Sequence, residues 1–283
     1  METVVEILGV NGDAVVLAGE DTGVDGMWLA TGLEGFYDPE ISTVTKSPAN
    51  RPGTRFVSHR ILERTVTFKV TVADDEGLGN SWRARDARWR RLWAYDEYTT
   101  IKVTTDEGAR ALQARLTEIE VDTNYDPHVN GATDILMTVV ADDPFWYAPD
   151  EVYSVTVGTS PVTIRVPEAN PTENPVFPVW VLEGGGTWTV PDYSTKNGVV
   201  VKHAVTLPEI STTEHLVVNS DPIARQLLSH DNTPVWARMN GVRFRNHLGP
   251  YTGPVDFAVS VDSDTPKQAQ LRLKRPFNRP WGV

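Results

Sequence analysis

The chain has 283 residues and no cysteine, which leaves room for about two domains and excludes disulfide frameworks, thiolate metal sites and cysteine nucleophiles. Its 26 Lys and Arg against 38 Asp and Glu give a net charge of −12, which argues against a wholly basic nucleic-acid binder, because phosphate contacts need clustered cations. Met1-Glu2-Thr3-Val4-Val5-Glu6 carries acids where a secretory signal needs cations, and apolar runs such as Met27–Ala30 are far shorter than the roughly 18–20 residues of a membrane helix, so neither a signal peptide nor membrane insertion is expected.

In chain order, most of the sequence alternates apolar and polar residues. Val4–Leu8 and Ala14–Leu17 flank Gly9-Val10-Asn11-Gly12-Asp13, and an Asn-Gly pair between two apolar runs predicts a hairpin. Residues 42–53 form a long stretch without periodicity, of the kind that binds something or stays mobile; it is expected to pack on a neighbouring subunit. Thr65–Val72 then puts Val66, Phe68, Val70 and Val72 on one strand face. One segment breaks this period. After Asn80-Ser81, an N-cap signal, Trp82, Trp89 and Trp93 fall in one helical stripe beside Leu92, and five Arg fill the remaining circumference, which predicts an amphipathic helix lying on a sheet. Strands resume at Thr99–Thr105, Ala111–Val121 and Ile135–Val140.

Asp142-Asp143-Pro144-Phe145-Trp146-Tyr147-Ala148-Pro149 closes the first half, so the domains are expected at 1–149 and 150–283. The second half opens with an alternating hairpin, Val152–Val157 and Val162–Val166. A Pro-rich stretch follows (Pro161, Pro167, Pro171, Pro175, Pro178), read as linker or edge because proline cannot donate to a ladder. Short strands are then expected at Val179–Leu182, Trp188–Val190, Val199–Val205, Leu216–Asn219, Val235–Met239, Val255–Val261 and Ala269–Leu273, the spacing of a β-sandwich or jelly roll.

Reaction chemistry finds little support. The six His have no metal-helix spacing, and Glu214-His215 reads as an exposed adjacent pair. Gly158-Thr159-Ser160-Pro161-Val162 lacks the last glycine of a nucleophile elbow, and Gly77-Leu78-Gly79 lacks the rest of a phosphate loop. Asp74-Asp75, Glu118/Glu120 and Asp142-Asp143 are the carboxylate pairs, and they read as turn or solvated-face residues. No catalytic, cofactor-binding or metal residue is assigned, and no enzyme is expected. Residues 1–50 hold nine acids and one Lys, net −8, whereas residues 83–91 hold five Arg and one Asp, net +4; these two segments are candidate opposing patches between subunits. A different reading, a carbohydrate-binding module, rests on Trp180, Trp188 and Trp236. All three lie in apolar alternations, so core positions are expected for most of them.

Beyond these patterns, the order of several motifs resembles the distal tail protein, a minor tail protein of long non-contractile-tailed bacteriophages. The second half carries Asn170-Pro171-Thr172, Pro175-Val176-Phe177-Pro178-Val179-Trp180-Val181, Trp188-Thr189-Val190-Pro191-Asp192-Tyr193, Leu216–Pro222, Val235–Phe244 and the closing Arg279-Pro280-Trp281-Gly282. The first half adds Gly53-Thr54-Arg55-Phe56, the Trp helix and Asp143-Pro144-Phe145-Trp146. The resemblance implies a mainly β fold: an N-terminal tail-tube-like β-sandwich with one flanking helix and a C-terminal galectin-like or jelly-roll β-sandwich. It further implies a homo-hexameric ring at the virion tail tip, joining the tail tube protein to the hub and the tape measure protein. DNA would pass through the lumen without specific binding, and receptor-binding proteins would dock outside; an acidic lumen, whose like charge keeps DNA from sticking, is a separate expectation from the chain's charge. Larger relatives carry an inserted carbohydrate-binding module that is not evident in this chain. The basic C-terminal end, Arg272–Val283, either docks on an acidic surface or frays.

Overall fold

The alternation of Val66, Phe68, Val70 and Val72 buries one face of a ten-residue strand, and the first half of the molecule is built around it. The structure is a computed structural model that describes residues 3–31, 33–74, 81–196 and 198–282. The chain forms two units, one of residues up to Trp146 together with 278–282, the other of residues 147–277.

In the first unit the strands are β1 (Val4–Leu8), β2 (Ala14–Ala18), β3 (Met27–Leu29), β4 (Ile41–Lys46), β5 (Arg55–Ile61), β6 (Arg64–Ala73), β7 (Thr99–Thr105), β8 (Gly108–Val121) and β9 (Ala132–Ala141), with β10 (Trp146–Tyr147) at the junction. The sheet runs β2-β1-β7-β8-β9-β6-β3, antiparallel throughout, and its end strands β2 and β3 lie beside each other, so the sheet nearly closes into a barrel. Helix α1 (Trp82–Arg91) lies on it by part of the expected stripe: Trp89, Leu92 and Trp93 are buried, with Trp89 and Trp93 meeting Phe68 at 6.5 and 5.9 Å between ring centroids, whereas Trp82 is half-buried and meets His128 at 5.1 Å. The expected cap differs. Ser81 occupies the N-cap position without a side-chain hydrogen bond, and the Asp74 carboxylate accepts the Trp82 amide instead; Asn80 lies outside the described residues. Arg88, Arg90 and Arg91 in the last turn complement the helix dipole. A second short helix, α2 (Pro127–Asn130), capped by the Asp126 carboxylate, was not expected.

Arg64 is the buried centre of this unit. It is 1% exposed, and its guanidinium donates to the carbonyls of Pro144 (2.7 Å), Gly35 (2.9 Å), Phe36 (3.3 Å), Tyr37 (2.5 Å) and Asn278 (2.7 Å). Burial lowers its pKa to about 10, against a raising contribution from Asp38, so it stays charged at neutral pH. The 35–37 loop can approach because residue 35 is glycine, with φ +74 and a notional Cβ only 1.9 Å from the Thr65 carbonyl.

The second unit contains β11 (Glu151–Val157), β12 (Val162–Val166), β13 (Val179–Leu182), β14 (Thr187–Pro191), β15 (Ser194–Lys196), β16 (Val199–Val201), β17 (Ala204–Thr206), β18 (Leu216–Asn219), β19 (Leu227–Ser229), a 3₁₀ turn (Val235–Met239), β20 (Val255–Asp262), β21 (Lys267–Leu273) and β22 (Pro276–Phe277). Two sheets, β11-β21-β13-β18-β19 and β12-β20-β14-β17, share one core in which Trp180 of the first meets Phe257 of the second at 6.3 Å.

Four local expectations change. β11 and β12 are not hairpin partners: β11 pairs β21 and β12 pairs β20, in opposite sheets. Val199–Val205 divides into β16, paired with β15, and β17, paired with β14. Val235–Met239 is a 3₁₀ turn because Pro234 and the left-handed Asn240 bracket it. The Pro-rich stretch is neither linker nor edge. Asn170, Thr172, Asn174 and Val176 are buried, and Asn170 Nδ2 donates to the carbonyls of Asn174, Leu248 and Gly249 while its Oδ1 accepts from Thr172. Side chains here supply the bonds that proline withholds from a ladder. The C-terminal end docks: residues 278–282 belong to the first unit.

Arg64→Ala leaves five carbonyls short of a buried donor and is expected to lower the unfolding free energy by about 3–5 kcal/mol. Arg64→Lys, which keeps the charge but not the fork, should fall between the two proteins in urea unfolding followed by tryptophan fluorescence.

Candidate assembly and binding surfaces

The loop expected over residues 42–53 is shorter: residues 42–46 belong to a strand and only 47–54 connect it to the next, so 41–61 form a hairpin. It is two-stranded, β4 with β5, in register from Ile41–Ile61 to Lys46–Arg55 and kinked by an irregularity at Val44/Thr45. Every described residue of β4 is exposed, and β5 is exposed up to the half-buried Ile61. Ile41 (52%), Val44 (42%), Phe56 (60%) and Val57 (47%) stand in solvent, which is unusual company for one short ribbon. The same segment carries Lys46, Arg51, Arg55 and Arg60 with no acid, so it is apolar and basic on a chain that is acidic overall.

The opposing patches expected from sequence meet inside one chain. Arg88 of α1 pairs with Asp25 and Asp13 and donates to the Ala14 carbonyl; Arg85 is buried against the Ala73 carbonyl; Arg90 pairs with Asp86; Arg83 meets His128. Much of this helix's charge therefore holds the subunit together. The tail is fixed in the same manner: Arg110 donates to the carbonyls of Arg279 (2.9 Å) and Gly282 (2.6 Å), Arg279 pairs with Asp38 at 2.9 Å, and Trp281 meets Tyr37 edge-on at 5.3 Å.

In the second unit Trp180 and Trp188 are fully buried, as expected for core residues, whereas Trp236 is 65% exposed. It sits on the 3₁₀ turn beside a cleft of about 460 Å³ whose rim includes Arg225, Val242 and Arg243. No signal in the Val-Trp-Ala alternation distinguishes Trp236 from Trp180, but the preceding Thr-Pro and following Asn-Gly are turn formers that could have flagged it. The turn is anchored by Glu214, which is buried and not exposed as the adjacent pair suggested. Its carboxylate accepts from Thr233 Oγ1 (2.6 Å), the Ser211 amide (2.9 Å) and Arg238 (2.7 Å), and these bonds lower its pKa from 4.5 to about 2.

The carboxylate pairs do not assemble into a site. Glu118 and Glu120 are exposed on β8. Asp142 is engaged by Arg115 and by the Tyr98 hydroxyl at 2.6 Å, contacts that lower its pKa, and Asp143 caps the Phe145 amide. Asp75 and Gly77-Leu78-Gly79 lie outside the described residues. Among the described residues no group of three or more His, Asp or Glu is placed to hold a metal, and no helix is long and apolar enough to cross a membrane.

This two-unit, mainly β architecture has counterparts among solved phage tail proteins. The structure is similar to the crystal structure of SPP1 Dit (gp 19.1), with TM-score 0.62 and 12% identity, covering 97% of this chain and 99% of that one. It is also similar to a chain of the phage P2 baseplate in its activated conformation with Ca, with TM-score 0.54 and 10% identity, covering 99% and 100%. No family profile matches the sequence. It is, however, 34% identical to the minor tail protein Gp27 of Mycobacterium phage L5 and 33% identical to Gp27 of Mycobacterium phage D29, in both cases over 100% of this chain and 99% of the relative. The chain belongs to this family of phage minor tail proteins and is a structural component of the virion tail.

Glu214 has a lower pKa folded than unfolded, so the stability it contributes is present above about pH 4.5 and is lost as pH falls toward 2. Glu214→Gln is expected to cost about 1.5–3 kcal/mol at pH 7 and to flatten that acid loss, as read from urea midpoints measured at a series of pH values.

Proposed function

We propose that this protein is the distal tail protein of its virion, a homo-hexameric ring at the tail tip that joins the tail tube protein to the hub and the tape measure protein. The observation that carries the reading is the β4–β5 hairpin, whose exposed Ile41, Val44, Phe56 and Val57 and four cations suit the acidic surface of a neighbouring copy. A closed ring needs two different patches on each subunit, one given and one received. In this reading the hairpin is the patch given, and the nearly closed β-sheet unit, tail-tube-like in its role, carries the receiving surface. The likeness to SPP1 Dit, described as a paradigm of a hub adsorption apparatus, and to a phage baseplate chain supports a place at the tail tip.

The role is non-enzymatic. DNA passes through the lumen of the ring, and a net charge of −12 opposes the counterion release that would make it stick. The second unit, a galectin-like sandwich, faces outward and offers receptor-binding proteins a docking surface. Synthesis in the host bacterial cytoplasm fits a chain with no cysteine, whose cohesion uses no disulfide.

Mass photometry of the purified chain, alone and mixed with the tail tube protein, should show a species of six subunits, and negative-stain images should show rings. Val44→Asp combined with Phe56→Asp should leave a folded monomer with unchanged tryptophan fluorescence. A wild-type chain that stays monomeric in both settings would overturn the ring, and rings from the double variant would remove the hairpin's role.

A further inference from the structure

The second unit holds a feature that ring assembly does not use: one cleft lined by an exposed indole and by two cations that have no partner among the described residues. Trp236 projects from the 3₁₀ turn with 65% of its surface exposed, while its neighbours Val235 and Met239 are buried and anchor the turn. Arg238, two residues on, is held by Glu214 at 2.7 Å and donates to the Glu209 carbonyl at 2.9 Å. Asn240 (φ 49) and Gly241 (φ 82) then reverse the chain through left-handed backbone and bring Val242 and Arg243 to the cleft. The remaining wall is equally set. Gln226 Nε2 donates to the Phe244 carbonyl (2.8 Å), its Oε1 accepts the Phe244 amide (3.2 Å), and its own carbonyl accepts the Asn219 amide (2.8 Å). The cleft, about 460 Å³, therefore exists before any ligand arrives and falls within the size range of small-molecule sites.

Arg225 and Arg243 line this cleft, are exposed, and make no ion pair or hydrogen bond among the described residues. Most other cations in the chain are spent on a carboxylate or a carbonyl, as at Arg64, Arg88, Arg110, Arg115, Arg238 and Arg275. Two unspent guanidiniums and one exposed aromatic ring lining the same cleft define a complementary ligand. It has a ring with an apolar C–H face to lie on the indole, hydroxyls that tolerate an open, wet rim, and a carboxylate or phosphate for the guanidinium forks.

We infer that the Trp236 cleft binds an acidic saccharide, its ring stacked on Trp236 and its anionic group held by Arg225 and Arg243. A purely apolar ligand would want an enclosed pocket without two cations at its mouth. A bare anion would leave the exposed indole unexplained. The inference rests on the second unit alone and stands or falls independently of the ring.

The test titrates the full chain, at low and at physiological salt, with four probes: an oligoglucuronate, mannose 6-phosphate, a neutral mannose oligosaccharide and inorganic phosphate. Binding is followed by saturation-transfer NMR and calorimetry. An acidic sugar should bind, with the neutral sugar and inorganic phosphate each about tenfold weaker or worse. Trp236→Ala should abolish the signal, and Trp236→Tyr should restore part of it. Arg225→Ala and Arg243→Ala should each weaken the acidic sugar about tenfold and flatten the salt dependence without touching the neutral one. All three positions are exposed, and unchanged thermal unfolding checks that the variants fold. Equal binding of the neutral and acidic sugars would overturn the role of the arginines, and equal binding of inorganic phosphate would overturn stacking. If no saccharide binds, or if Trp236→Ala instead blocks assembly with another tail protein, the cleft is not a sugar site.

Discussion

The first unit depends on one buried guanidinium. Arg64 begins β6, the strand whose apolar face forms the heart of the sheet, and from there it gathers the 35–37 loop, Pro144 and Asn278. These segments are far apart in sequence, and none belongs to a ladder at the bonded atom. Without the guanidinium most of these part-buried carbonyls would lose a donor, so the cation and the loops stabilise each other. Trp146 adds to the same knot, since its indole N–H also donates to the Phe36 carbonyl and its ring meets Phe36 at 5.1 Å. Through Asn278 the end of the chain becomes part of the unit in which the chain began.

Charge in this protein is sorted by use. The Arg face of α1 looks like a surface offered to a partner, yet Arg85 and Arg88 are turned inward to Ala73, Asp13 and Asp25. Among the cations left unspent, those on the β4–β5 hairpin and at the Trp236 cleft share their place with exposed apolar surface. A net charge averages over these differences, and a local sum over residues 83–91 misplaces them, because neither measure knows which carboxylates come within reach after folding.

Much of the architecture was legible because a period-two or period-3.6 pattern is a direct consequence of burying one face. Val66–Val72 and the Trp89–Trp93 stripe are where they should be for that reason, and a full-length relative at 34% identity carries the same tail-protein family. The sites were less legible. Hairpin β4–β5 has no buried face, so its sequence shows no alternation and resembles a loop. Trp236 shares the Val-Trp-Ala surroundings of a core strand, and only its flanking Pro234 and Asn240 take it out of one. Asn170 and Asn174, among closely spaced prolines, look like linker until their side chains are seen bonding carbonyls as distant as Leu248 and Pro276.

By itself the sequence determined local matters: which faces are apolar, where α1 lies, that no cysteine staples the fold, and that the chain is acidic and rich in strands. These follow from covalent order and solvent preference, which act over a few residues. Tertiary structure alone decided the pairings that link distant positions. It sent β11 and β12 to opposite sheets, brought residues 278–282 back to Arg64 and Arg110, and spent Arg88 on Asp13 and Asp25. It also left Trp236, Arg225 and Arg243 without a partner among the described residues. Hydrogen bonds and ion pairs are short-ranged and need particular atoms in contact, and that proximity is set only once the whole sheet closes.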